Sequence, residues 1–321
     1  MPGRVVVVGS ANLDLVTVTR TLPLPGETLL ALTYAEGPGG KGSNQAVACA
    51  RMGARVSFVG RRGTDAAGDL LTAELAREGI DVEHFRTADG PTGRALVMVD
   101  EAAENSIIVV QGTNALVDGD AVAEAAPLIR DAAVVVCQLE VPVETVLATA
   151  RLAAGTFILN PAPAQVLPAD LLAAVDVLVM NETEYETVLG SALPEDLADI
   201  ASLAGRPGLP RTVIATLGSR GAAVCEDGVV TLVQPPVVTV IDTTGAGDTF
   251  VGALAAELAA GLDLTTAARH AVTAASLSTR SLGATTGMPG RDEVLEVAPQ
   301  SPVPAVSSPG GTIQVGHPTE A

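Results

Sequence analysis

The chain has 321 residues, with 18 Lys plus Arg against 37 Asp plus Glu, for a formal charge of −19. So acidic a chain is a poor partner for nucleic-acid backbones or anionic membrane surfaces, both of which call for clustered basic residues. Hydrophobic residues at 48% supply a large core; aromatics at 2%, with no Trp, leave that core to Val, Leu, Ile and Ala and exclude base-stacking platforms.

The first predicted element is a buried strand, Arg4–Gly9, whose four valines are too few for a signal-peptide apolar region. It runs into Gly9-Ser-Ala-Asn12-Leu-Asp14. Ligands of open α/β sheets sit beyond the carboxyl ends of strands. Asn12 and Asp14, two apart on an extended segment, share a face and suit vicinal hydroxyls. An Asx turn accounts for the same pair equally well. The segment lacks the GxGxxG fingerprint, which disfavours a dehydrogenase. Residues 15–35 and 92–110 read as strands without intervening helices, a small sheet standing off the main one.

Gly37-Pro-Gly-Gly40-Lys41-Gly-Ser-Asn44-Gln leads into a helix, Ser43–Met52. It is no P-loop, because Gly42 follows Lys41 where that motif needs Ser or Thr. Either Lys41 and Asn44 donate to a small polar ligand, or this is a Gly-rich turn with an exposed Lys. A strand at Arg55–Gly60 and a helix at Ala67–Glu78 follow. Further apolar runs predict buried parallel strands at Ala132–Cys137, Thr156–Asn160, Val175–Met180 and Arg211–Thr216. Helices are predicted at Val143–Ala153, Glu182–Leu189, Asp248–Ala260 and Leu264–Ser278. Gly53, Gly79 and Gly261 fall where helix-ending residues of positive φ belong. The alternation predicts an α/β sandwich around a mainly parallel sheet.

Polar segments gather after these strands: Gln138-Leu-Glu140, Asn181-Glu-Thr-Glu184 and Thr216-Leu-Gly218-Ser219-Arg-Gly221. Each reads equally as strand-to-helix punctuation, and Glu140 as a first-turn carboxylate favoured by a helix dipole. The strongest signal is Asp242-Thr-Thr244-Gly245-Ala246-Gly247-Asp248, which follows the apolar run Pro236–Ile241 and opens a helix. Small residues at a helix start aim successive N–H groups at an anion. A carboxylate beside them can take a proton from a hydroxyl, although Asp248 also reads as a simple N-terminal cap.

Cys49, Cys137 and Cys225 are odd in number and scattered, so neither a disulfide framework nor a zinc site is expected, and a reducing cytoplasm is the natural setting. No uncharged apolar stretch reaches membrane-spanning length. From Pro299 onward the composition turns to Pro, Ser and Gly, so residues 299–321 are expected to be a disordered tail after a domain spanning 1–298.

DTTGAGDTF and GGKGSNQAVACARMG resemble the two signatures of the ribokinase-like, pfkB-type carbohydrate kinases. LPLPGETL, PTGRALVMVD, ENSIIVVQGTN, CQLEVP, NPAPA, NETE and TLGSRGA extend the resemblance, in order, over roughly residues 4–297. It implies a three-layer α/β sandwich with a β-sheet lid (strands within about 12–36 and 92–111) that often forms a homodimer contact. It implies ATP-dependent phosphorylation of the 5-hydroxyl of D-ribose, with Asp248 as general base. The amides of Gly245, Ala246 and Gly247 would form the anion hole. Asn12, Asp14, Gly40, Lys41, Asn44 and Glu140 would bind the sugar. Asn181, Glu184, Thr216, Gly218, Ser219 and Gly221 would border the nucleotide, Glu184 being linked to Mg²⁺. A K⁺ site beside the anion hole would draw on Asp242, Thr244, Ser278, Ser281, Gly283 and Gly287. Val272 departs from the family, standing where an Asn often faces adenine. Deoxyribose, a nucleoside or another sugar is the alternative acceptor, and a non-catalytic binder on the same fold is the alternative of a different class.

Overall fold

The structure is a computed structural model that describes residues 3–102, 104–203, 206, 208–298 and 305–306. In chain order the first half holds β1 (Arg4–Val8), β2 (Asn12–Val18), β3 (Thr33–Gly39), α1 (Lys41–Arg51), β4 (Arg55–Arg62), α2 (Ala66–Arg77), β5 (Asp81–Thr87), β6 (Gly93–Val99) and β7 (Asn105–Val110). Then come α3 (Gly119–Glu124), α4 (Ala126–Arg130), β8 (Val134–Cys137), α5 (Val143–Leu152), β9 (Thr156–Leu159), α6 (Ala169–Leu172), β10 (Val177–Met180) and α7 (Glu182–Leu189). The last part holds β11 (Thr212–Thr216), β12 (Ala222–Glu226), β13 (Val229–Val233), α8 (Ala246–Ala259), α9 (Leu264–Ser278), α10 (Arg291–Val297) and β14 (Ala305–Val306).

Ten strands form the main sheet in the order β14-β13-β12-β11-β10-β9-β8-β1-β4-β5. From β5 to β11 every pairing is parallel; β12, β13 and β14 close the far edge antiparallel. The continuous valines of β1 follow from burial on both faces. Val5 and Val7 pack with α1, α8 and α9, whereas Val6 and Val8 pack with the helices of the opposite layer. Chain order reverses between β1 and β8, so the crevice outside their carboxyl ends is where such a sheet binds ligands. Gly53, Gly79 and Gly261 have φ of 84°, 75° and 87°, as their helix-ending role requires.

The stretches expected to stand off form a separate four-stranded sheet, β3-β2-β6-β7. β3 runs on to Gly39, so Gly37 and Gly39 are strand rather than turn, and Gly40 alone makes the turn into the helix. The hairpin β12–β13 was not expected, although its Asp227-Gly228 turn, φ 49° and 84°, has the residue pair such turns demand. The run Pro236–Ile241 joins no sheet: Pro235 and Pro236 lack ladder donors, and Val237, Val240 and Ile241 are exposed. The tail expected from Pro299 lies outside the described residues, except that Ala305–Val306 pairs with Val230–Thr231 at the sheet edge. Among the described residues, no helix is long and apolar enough to cross a membrane.

Candidate active site

Asn12 and Asp14 begin β2 and lie on one face of it, as their spacing requires. Neither makes an Asx turn. Asn12 Oδ1 accepts from Asn114 Nδ2 at 2.7 Å, and Asn114 also bridges both backbone groups of Ala11, which leaves the Asn12 amide N–H₂ for a ligand. Asp14 Oδ1 is buried and has no partner. These side chains fit because their neighbours lack Cβ atoms. A methyl on Gly39 would sit 2.1 Å from the Asp14 carboxylate, and one on Gly93 would sit 2.3 Å from Asn12 Oδ1.

Gly40, with φ 91°, caps α1 without a side chain. Its place is taken from a distance by Glu140, whose Oε2 accepts from the Lys41 amide at 3.0 Å and from Ser10 Oγ at 2.5 Å. Glu140 thus does serve a helix dipole, that of α1 rather than of the helix following it. Lys41 is the chain's only lysine; every other of the 18 basic residues is Arg. Burial alone would lower its pKa, but the carboxylates of Asp248, Glu140 and Glu184 raise it, so it stays charged.

Gly245, in the left-handed region at φ 76°, caps α8 and places Asp248 in its first turn. A Cβ there would meet the Ala284 carbonyl oxygen at 2.3 Å. Asp248 does not cap its own helix. Its Oδ2 accepts from Asn44 Nδ2 and its Oδ1 from Gln45 Nε2, both at 3.0 Å. Burial raises its pKa, opposed by Lys41 and by these two donors. Of the three amides expected at the anion site, that of Ala246 is already donated to the Thr243 carbonyl at 3.2 Å. The amides of Gly245 and Gly247 have no backbone acceptor, as at the start of any helix.

A cavity of about 210 Å³ opens in front of Asp248, lined by Lys41, Asn181, Glu184, Thr216, Gly245 and Gly247 among others. Asn181 and Glu184 form a reciprocal capping box on α7, so the punctuation reading of NETE holds while both residues also face the cavity. Glu184 is pushed up by burial and held back by hydrogen bonds from Asn181 and Asn160 and by the Lys41 charge. Thr216 and Gly247 are shared with an open groove of about 960 Å³. Gly218, Ser219 and Gly221 lie along its rim, and its far wall is apolar, with Val238, Phe250, Val272 and Ala275. The Ser276 and Thr279 hydroxyls on that wall donate to carbonyls of their own helix, so Val272 sits in an apolar neighbourhood.

Asp242 binds the loop together: Oδ1 accepts from the Thr244 amide and hydroxyl at 2.9 and 2.7 Å, and Oδ2 from the Gly283 amide at 2.8 Å. Burial would raise its pKa, but these hydrogen bonds win and hold it below the usual carboxylate range. The carbonyl oxygen of Ser278 and the side chain of Ser281 both crowd Gly287. The six residues expected at a cation site therefore lie along one wrapped segment and its Asp242 anchor. Among the described residues, no three His, Cys, Asp or Glu side chains gather as metal ligands. One carboxylate with hydroxyl and carbonyl oxygens suits a hard cation rather than zinc.

Sequence reasoning missed Ser10, Gln45, Asn114 and Asn160, all buried polar residues that hold the site. All four sat inside segments already singled out, Ser10 in GSANLD, Gln45 in GGKGSNQ, Asn114 in ENSIIVVQGTN and Asn160 in NPAPA, but nothing local marked their roles.

Residues 3–291 match the family described as pfkB family carbohydrate kinase. The chain is 36% identical over 296 residues to a ribokinase of Haemophilus influenzae, covering 90% of this chain and 96% of that one. Its fold superimposes on a Thermotoga maritima ribokinase with a TM-score of 0.85 at 31% identity, covering 92% of this chain and 99% of that one. A second match is an Arabidopsis thaliana ribokinase complexed with ribose and ATP, at a TM-score of 0.82 and 33% identity, covering 94% and 100%.

Proposed function

The chain belongs to the pfkB family of carbohydrate kinases, and from that premise we propose that it transfers the γ-phosphoryl group of ATP to the 5-hydroxyl of D-ribose. One observation carries this reading: the doubly held Asp248 carboxylate and the undonated amides of Gly245 and Gly247 meet at one cavity. Asp248 takes the hydroxyl proton, the sugar oxygen attacks the γ-phosphorus, and ADP leaves with the bridging electrons. The Gly245 and Gly247 amides meet the charge on the transferring group; the Ala246 amide, turned to Thr243, has a lesser part. Asn12, Asp14, Asn44, Lys41 and Glu140, with the Gly40 backbone, orient the sugar. The ligand pair Asn12–Asp14 suits a ribose with both ring hydroxyls, since a buried carboxylate without a partner is costly.

Asn181, Thr216, Gly218, Ser219 and Gly221 border the nucleotide. Glu184 has both oxygens occupied by Asn181 and Asn160, so a magnesium ion carried by the phosphates fits there through its water shell. Asp242, Thr244, Ser278, Ser281, Gly283 and Gly287 offer oxygens that fit a potassium ion. Such an ion would supply positive charge beside the anion site. The chain is proposed to work in the cytoplasm, where its three buried free thiols are at home.

The test is a coupled ADP-release assay over sugars and nucleosides, with and without K⁺. Ribose is expected to exceed 2-deoxyribose in kcat/KM by at least about tenfold, and K⁺ to raise turnover. Parity between the sugars, or preference for deoxyribose, overturns the acceptor assignment.

We also propose that the small sheet forms a homodimer contact. Ile107, Ile108, Val109 and Val110 are 44–58% exposed on its edge strand β7, and an apolar edge of this kind pairs unless blocked. Ile108→Lys is expected to shift the chain to monomer in sedimentation. A wild-type chain that sediments as a monomer refutes the contact.

A further inference from the structure

We propose that Gln45 and Asn160 are positioning residues that tie the Asp248 carboxylate to the Glu184 carboxylate through a one-way run of amide hydrogen bonds. This rests on the reading of Asp248 as the base. Gln45 and Gln138 are fully buried, and Asn160 is 8% exposed. Side-chain amides at such positions are costly unless each is hydrogen-bonded, and apolar residues would pack there without that demand.

The direction of the run is forced. Asn160 Nδ2 faces two groups that can only accept, the Val179 carbonyl at 3.1 Å and Glu184 Oε2 at 3.2 Å. Asn160 Oδ1 must therefore point at Gln45, whose Nε2 donates to it at 3.2 Å and to Asp248 Oδ1 at 3.0 Å. Gln45 Oε1 is left to accept from Gln138 Nε2 at 2.6 Å. The run starts at Gln138, whose Oε1 is buried without a partner, and it branches at Gln45 to end on two carboxylates, Asp248 and Glu184. Gln45 lies behind the cavity wall that Asp248, Asn160 and Glu184 form. It can act on the reaction only through the orientation of those groups, which come from α8, the β9 end and α7. A shift of one carboxylate is passed to the other because Gln45 holds both its acceptors with a single nitrogen.

The test is Gln45→Met in the full chain, which keeps side-chain length and drops the amide. Ribose and ADP dissociation constants by calorimetry are expected to stay within about threefold of wild type, while kcat falls about 10- to 100-fold. In a double-mutant cycle, Glu184→Gln is expected to cost at least about threefold less in kcat when Gln45 is already Met. Unchanged kcat in a folded Gln45→Met protein, or an additive cycle, overturns the proposal. If Gln45→Met does not fold, Asn160→Ser breaks the run at its middle and carries the same expectation and the same overturning result. Near-wild-type turnover of Asp248→Asn would defeat the base assignment and this proposal with it. Loss in Asp248→Asn beside unchanged kcat in Gln45→Met would defeat the coupling alone.

Discussion

Asp248→Asn is expected to lower kcat by roughly 10²–10⁴-fold while ribose binding, measured by calorimetry, stays close to wild type. The fold should tolerate the change. The carboxylate accepts on both oxygens, from Asn44 and Gln45. Gln45 is locked by Gln138 and Asn160 and must keep donating, so the introduced carbonyl turns towards it. The introduced N–H₂ then faces Asn44, whose Oδ1 is buried and unpartnered and can accept after an amide flip. The variant also removes a buried charge that burial had made unfavourable, so its Tm should equal or exceed that of the wild type. A folded variant with intact ribose binding and near-wild-type turnover would remove Asp248 from the role of base.

Asp14→Asn is the second large effect, because it should stabilise the protein while disabling it. Burial, then the charges of Glu140 and Asp248, push the Asp14 carboxyl up to about 7. An acid whose folded pKa lies above its unfolded value weakens the fold as pH rises from about 4 to about 7, and the whole cost is present above that range. The neutral amide escapes this cost. Its stability gain near pH 8 is expected to exceed that near pH 5 by about 1–2 kcal/mol, half the full conversion because the position is reached by water. Ribose hydroxyls donating to Asp14 favour the ionised form, so wild-type ribose affinity should weaken as pH falls below about 7, by up to about tenfold per pH unit. In Asp14→Asn that dependence should vanish along with most of the affinity. Thermal unfolding and calorimetry from about pH 5 to pH 8 check both halves, and a variant less stable than wild type near pH 8 contradicts the account of this carboxylate.

Much of the architecture was legible in advance because buried parallel strands leave an uninterrupted apolar trace. Val5–Val8 and Val134–Cys137 could hardly be anything else. The strand-like stretches without helices resolved into the small sheet for a similar reason: TGRALVMVD and NSIIVVQ carry β-branched residues with turn signals between them. What was illegible was short or lay at a sheet edge, such as β5 and the β12–β13 hairpin, where few apolar residues are needed. In the site, the glycine-rich helix start at Gly245 and the Asn12–Asp14 pair on β2 could be singled out locally, because each lies within a few neighbouring residues. The roles of Asn114 and Asn160 could not, although both lie in segments that carried the resemblance, since each is defined by a partner at least 19 residues away.

The acidic composition excluded partners, and the motifs placed a phosphate chemistry on a chain with 37 carboxylates. The sequence by itself marked one lysine, one helix start rich in glycine and a short set of polar strand ends as candidates for that chemistry, because each of these is local. Only the tertiary structure decided what the carboxylates do. Glu140 caps a helix begun 99 residues earlier, Asp242 laces a loop, Asp248 is held on both oxygens, and Asp14 is left without a partner. The reason is physical: a carboxylate takes its character from burial and from the donors around it, and here those donors come from elements that meet only when the sheet closes.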